Sequence, residues 1–173
     1  MFVAKPSLSA IWTAFPDHGA YRTLKDLYTM LGGVAAQNID APGFGPNGNT
    51  CASRLSVAFN GGGSPINRAI ANNVGAATIG TASGARIIYR VRDFRNYLIG
   101  VLGRPTIDSA SPFDDDFKTK KGIIAFTVEG WTDASGHIAL INNGAYREPA
   151  HDNYAAFVRG QARTVRGEFW ELG

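Results

Sequence analysis

GIIAFTVEGWTDASGHIALINNGAYRE, residues 122–148, decides the fold of this chain. β-Branched, aromatic and other apolar residues dominate it, and the hydrophobic period shortens here from 3.6 to 2, the mark of strands. Strands are predicted over 122–131, 136–142 and 144–148, and a further one over 164–172. Asn143-Gly144 between two of them is a two-residue hairpin signal. Pairing around that turn sets Asn142 against Ala145 and Ala139 against Glu148.

Upstream the reading is helical. Residues 92–102 carry a stripe of Phe94, Tyr97, Leu98 and Val101, closed by Gly103. Residues 51–59 form a helix that opens on Cys51, capped by Asn49 or Thr50 and ended by Gly61-Gly62-Gly63. Residues 23–31 carry Leu24, Leu27, Tyr28 and Leu31, ended by Gly32-Gly33. Residues 7–15 carry Leu8, Ile11, Trp12 and Phe15, stopped by Pro16. Gln37 to Thr50 is a loop by composition, 104–120 a surface loop, and 64–83 has no assignable pattern. Helices first and antiparallel strands after give an α+β fold with a segregated sheet, in one domain spanning residues 1–173.

Composition narrows the function classes. At 173 residues and 45% hydrophobic, the chain can bury a core and is not a disordered polymer. One cysteine excludes an internal disulfide framework and a Cys-rich zinc or iron–sulfur module. No apolar run is long enough for a membrane span, and the N-terminal stretch, broken by Pro6 and Ser7, does not read as a signal peptide. A chain made in the cytoplasm with a free thiol is expected. The net charge of +3 is too small and too scattered to indicate nucleic acid. No acidic residue lies between Asp40 and Asp93, a stretch holding Arg54, Arg68, Arg86, Arg90 and Arg92. It reads either as a surface for an anionic partner or as scattered solvated arginines.

GFGPNG, residues 43–48, matches the letters of a dinucleotide fingerprint. No strand precedes it, Pro46 interrupts it, and no acid follows at the ribose-binding distance, so it reads as a loop. Cys51 at a helix start is a candidate nucleophile, because helix N-termini favour thiolate; a buried structural cysteine is the alternative. A cysteine nucleophile needs a base held on a rigid element. Of His18, His137 and His151, only His137 falls on a predicted strand, with Gly136 before it. Strand parity makes Glu148 the carboxylate that shares a face with His137; Asp152 has the same parity but lies beyond the expected pairing. Positions 18, 51, 137 and 151 contain no local ligand pair, so neither a metal nor a cofactor is expected.

Asn49-Thr50-Cys51-Ala52-Ser53-Arg54-Leu55-Ser56, Gly122 to Phe126, Gly130 to Leu140 and Phe169-Trp170-Glu171-Leu172 together resemble the fourth family of type VI secretion amidase effectors. The resemblance runs in order along most of the chain. It implies a papain-like cysteine peptidase fold, the helical N-terminal part packed on an antiparallel sheet. It implies cleavage of peptidoglycan stem peptides between D-glutamate and meso-diaminopimelate, with Cys51 as nucleophile and His137 as base. It implies partners: the stem peptide, the type VI apparatus that carries the enzyme into a rival's periplasm, and a cognate immunity protein. Family members often carry an Asp about eleven positions after the His in a Cys-flanked loop; here that position is Glu148 and the loop cysteines are absent. Two other readings are a non-catalytic wall-binding module using Trp131 and Tyr146, and a cysteine peptidase or amidase with another substrate.

Overall fold

The structure, a computed structural model, describes residues 4–41, 48–110, 114–131 and 136–173. The loop at 43–48 therefore lies almost wholly outside the described residues, as does 132–135 within the quoted stretch.

Four helices follow the sequence reading. They are α1 (Leu8–Ala14), α2 (Leu24–Leu31), α4 (Cys51–Gly61) and α6 (Val91–Leu102). Thr23 and Asp26 form a reciprocal capping box at the start of α2, satisfying two otherwise unpaired N–H groups. Gly32 ends α2 at φ 64, and a short α3 (Gly33–Gln37) follows. The stretch without a pattern, 64–83, folds as α5 (Arg68–Asn73) and β1 (Thr78–Gly80), which pairs with β2 (Arg86–Ile88). Elements of three to six residues are too short to show a period.

The main sheet is antiparallel. It comprises β3 (Ile107–Ser109), β4 (Lys121–Glu129), β5 (Gly136–Asn142), β6 (Ala145–Tyr146), β7 (Val158–Arg159) and β8 (Ala162–Glu171). Its order is β3-β8-β4-β5-β6, with β7 also on β8. The segment 104–120 is thus more than a surface loop. Ile107–Ser109 pairs with the C-terminal strand, and α7 (Asp114–Phe117) carries the buried Phe117.

Both faces of the sheet are covered, which explains the near-continuous apolar run of β4. Ile123, Ala125, Ile138, Leu140 and Trp170 pack on one side with Cys51, Ala52, Leu55 and Phe59 of α4. Ile124, Phe126, Ala139, Ile141 and Phe169 pack on the other with Phe117 and Ala155. A helix sandwiched this way must satisfy its polar groups internally. Ser53 meets the Tyr28 hydroxyl at 2.8 Å, and Ser56 bonds the Ile88 backbone in both directions, at 3.0 and 2.9 Å.

The hairpin register holds for two pairs, Asn142–Ala145 and Ile141–Tyr146. The second strand then stops. Pro149 takes the first position of α8 (Pro149–Asp152), with Glu148 as its N-cap. Proline has no N–H for a ladder and its fixed φ suits the first helical position, so the chain turns where the parity argument kept it extended.

Candidate active site

Cys51 is the first residue of α4 and is buried at 7% exposure. Asn49 holds this helix start. Its Oδ1 accepts the Cys51 N–H at 3.0 Å, and its Nδ2 donates to the Gly136 carbonyl at 3.1 Å. Asn49 is therefore both a cap for α4 and a strap between the cysteine and the head of β5. Thr50 has another partner: its hydroxyl accepts from Arg54 Nε at 2.8 Å.

His137 follows Gly136 at the head of β5. A Cβ at Gly136 would collide with the Phe126 carbonyl of β4, so glycine lets the two strands close here. His137 is also 7% exposed. Its Nε2 hydrogen-bonds Asp152 Oδ1 at 2.9 Å, which leaves Nδ1 for the thiol. Cys51 lies close enough to act on the charge of the imidazole. Burial alone pushes the His137 pKa down; the Cys51 charge and the bond to Asp152 outweigh burial and raise it to about 9. The arrangement favours the imidazolium form of His137. A cysteine at a helix start facing a histidine on a packed antiparallel sheet is the papain-like arrangement.

The carboxylate beside His137 is Asp152, and this corrects the expectation for Glu148. Glu148 points elsewhere. Its Oε1 accepts the His18 N–H at 2.7 Å and its Oε2 pairs with His18 Nδ1 at 2.8 Å. The turn into α8 carries Asp152 back over the strand end. Asp152 Oδ2 accepts the Glu148 N–H at 3.0 Å, which fixes the carboxylate from its other oxygen. An acid four residues after the N-cap reaching back to the cap's N–H is close kin to a capping box, one position later. That, with Pro149, was the signal in the sequence.

Tyr154 lies just beyond α8 and was not anticipated. Its ring stacks on His137 at 4.4 Å between centroids, and Trp131 and Phe157 pack edge-on or tilted against it. Burial, and the charges of Cys51 and Asp152, push its phenol upward. The stack screens the His137–Asp152 bond from water, which strengthens that bond. Trp131 belongs to this cluster through Tyr154 and Phe157.

Arg54, one turn after Cys51, is 1% exposed. Its guanidinium donates to the Pro16 carbonyl at 2.7 Å and the Tyr21 carbonyl at 2.6 Å. It thereby anchors the turn that carries His18 to the nucleophile's helix. Burial pushes its pKa down, opposed by the charges of Glu148, Asp17, Cys51 and Asp152.

His18, Glu148 and His151 form a second cluster at the rim. Among the described residues it is the group of three side chains able to hold a metal ion.

A family model described as type VI secretion system amidase effector protein 4 matches residues 47–170. A sequence comparison with curated proteins gives no match. Among solved structures, the effector Tae4 in a Tae4–Tai4 effector–immunity complex from Enterobacter cloacae is 31% identical, with a TM-score of 0.81. The match covers 98% of this chain and 100% of that one. Tae4 from Enterobacter cloacae alone is 32% identical over 100% of both chains, with a TM-score of 0.79. Tae4 from Salmonella typhimurium, in complex with the Enterobacter cloacae immunity protein Tai4, gives 31% identity and 0.80, over 98% and 100% of the two chains.

Proposed function

The chain belongs to the type VI secretion amidase effector 4 family, and from that premise we propose that it cleaves peptidoglycan stem peptides with Cys51 as nucleophile, His137 as base and acid, and Asp152 as the residue that orients His137. The fold is papain-like, and the chain is an amidase effector. The observation that carries the site reading is His137, bonded to Asp152 on one side and with Cys51 acting on its charge on the other.

The reaction is acyl transfer at the amide between D-glutamate and meso-diaminopimelate. Cys51 Sγ attacks the γ-carbonyl carbon of D-glutamate, forming a C–S bond. The tetrahedral intermediate collapses, the C–N bond breaks, and imidazolium His137 gives its proton to the leaving amine. Neutral His137 then takes a proton from water, which attacks the thioester and releases the D-glutamate carboxylate and the thiol group. Asp152 holds the ring so that one nitrogen faces sulfur, and favours its charged form. A backbone N–H at a helix start is a natural oxyanion donor, but Asn49 Oδ1 accepts the Cys51 N–H in this structure. It serves the oxyanion only if Asn49 yields it on substrate binding.

In this reading residues 1–173 act as a single catalytic domain, delivered by the type VI apparatus to the target's periplasm. Among the described residues no helix is long and apolar enough to cross a membrane. The Tai4 complexes of its relatives support a cognate immunity protein as partner. The acid-free stretch between Asp40 and Asp93 suits a substrate bearing free carboxylates.

The test is digestion of purified peptidoglycan, with fragments identified by mass spectrometry. New D-glutamate carboxyl and diaminopimelate amino ends from the wild type, absent with Cys51→Ala, are expected. Cleavage at another bond, or cleavage by Cys51→Ala, overturns it.

A further inference from the structure

We propose that His18, Glu148 and His151 form a site for a borderline divalent transition-metal ion of the Zn2+ class, at the corner that carries Asp152. One ring nitrogen from each histidine and one Glu148 oxygen all lie within 4.8 Å of one another. Two donors about 2 Å from a tetrahedral zinc are about 3.3 Å apart, so about 1.5 Å of closure completes the set. Two of the three ligands are already placed. Glu148 is buried and locked to the His18 backbone at 2.7 Å, and its second oxygen is 2.8 Å from His18 Nδ1. A metal ion held there replaces the proton shared between these two atoms.

His151 supplies the closure. It is exposed, yet its ring lies flat on His18, with centroids 3.9 Å apart and planes 10° apart. It sits on the four-residue α8, so a rotamer change brings its nitrogen in without moving the sheet. Imidazole and carboxylate donors favour zinc-class ions, whereas magnesium prefers oxygen ligands and keeps its waters. The site opens onto a surface depression of about 310 Å³ whose wall includes Asp17, Arg147, Glu148 and His151, leaving space for a fourth ligand from solvent. Arg147, the cation in that wall, is paired with Asp17 at 3.3 Å. The site is separate from Cys51 but tied to it, because the Glu148 N–H donates to Asp152. An ion here therefore stiffens the support of the catalytic imidazole.

The test is titration of the full chain with ZnCl2, and with MgCl2 as control, read by calorimetry and by Tm. Wild type and Cys51→Ala should each bind one equivalent of Zn2+, with Tm rising by roughly 5–10 °C at a hundredfold excess over Kd, and no response to Mg2+. His151→Ala, at an exposed position, should fold normally and bind at least tenfold more weakly. Co2+ bound to the wild type should show d–d bands without a thiolate charge-transfer band. Loss of Zn2+ binding in Cys51→Ala but not in His151→Ala, or a thiolate band, places the ion at Cys51 and overturns the proposal. Absence of stoichiometric binding to both parents overturns it equally.

Discussion

Two carboxylate–imidazole pairs lie on either side of Glu148, and they are almost the same length. His137 meets Asp152 at 2.9 Å, and His18 meets Glu148 at 2.8 Å. Their surroundings differ. His137 is buried under Tyr154 and lies beside Cys51, whereas the His18 side chain is 26% exposed and stacks on another histidine. The distance between acid and ring does not make a nucleophilic site. A thiol at a helix start beside the ring does, because a helix N-terminus favours thiolate and a nearby negative charge holds the imidazolium against the cost of burial. The rim pair lies against the exposed His151, which suits a ligand that arrives from solution.

The comparison breaks first at Cys51. Cys51→Ala should cut wall hydrolysis by about 10⁴-fold or more, with Tm nearly unchanged. Wild-type-like turnover by the folded variant would put the chemistry elsewhere.

Asp152→Asn should be next, costing about 10²- to 10⁴-fold in kcat, since an amide no longer stabilises the imidazolium. Glu148→Gln should cost less than about tenfold and show mainly as stability, about 1–2 kcal/mol for a weakened charge-assisted bond to His18. This order reverses the one that strand parity gives, so kinetics of the two variants side by side decide between them. A larger kinetic loss in Glu148→Gln would restore the parity assignment.

Asn49→Ala sharpens the comparison at the helix start. It removes a cap and the strap to Gly136 together, for about 1 kcal/mol of stability and an expected tenfold or so drop in kcat. Unchanged kinetics with reduced Tm would make Asn49 a cap alone.

The smallest effect is in the pH dependence. His137 titrates near 9, above its ordinary 6.5. A raised imidazole pKa means that its contribution to stability is full below about 6.5 and is lost as pH rises through about 9. Turnover should decline on the alkaline side as the imidazolium is lost. In Cys51→Ala the thiolate charge is gone, so NMR titration should find His137 ionising at lower pH than in the wild type. An unchanged titration would mean that Asp152 alone sets it.

Much was legible in the chain itself, for identifiable reasons. The helices from 8–14, 24–31, 51–61 and 91–102 announce themselves because their apolar stripes and caps are local in sequence. So does the Asn143-Gly144 turn, where both residues take positive φ, 50 and 79. Cys51 and His137 were singled out by the elements that carry them, one at a helix start and one at a strand head. The choice of acid was not local in that sense. Parity assumes a strand that continues, and Pro149 ends it after two pairs, so Glu148 turns to His18 and Asp152 returns to His137. His18 and Glu148 are 130 residues apart, and no spacing rule brings them together. Asn49 and Tyr154 likewise owe their positions beside Cys51 and His137 to how α4 and the loop after α8 dock on the sheet. Residue type and period determined which elements form; the packing of those elements, which only burial of their apolar faces sets, decided which polar groups meet.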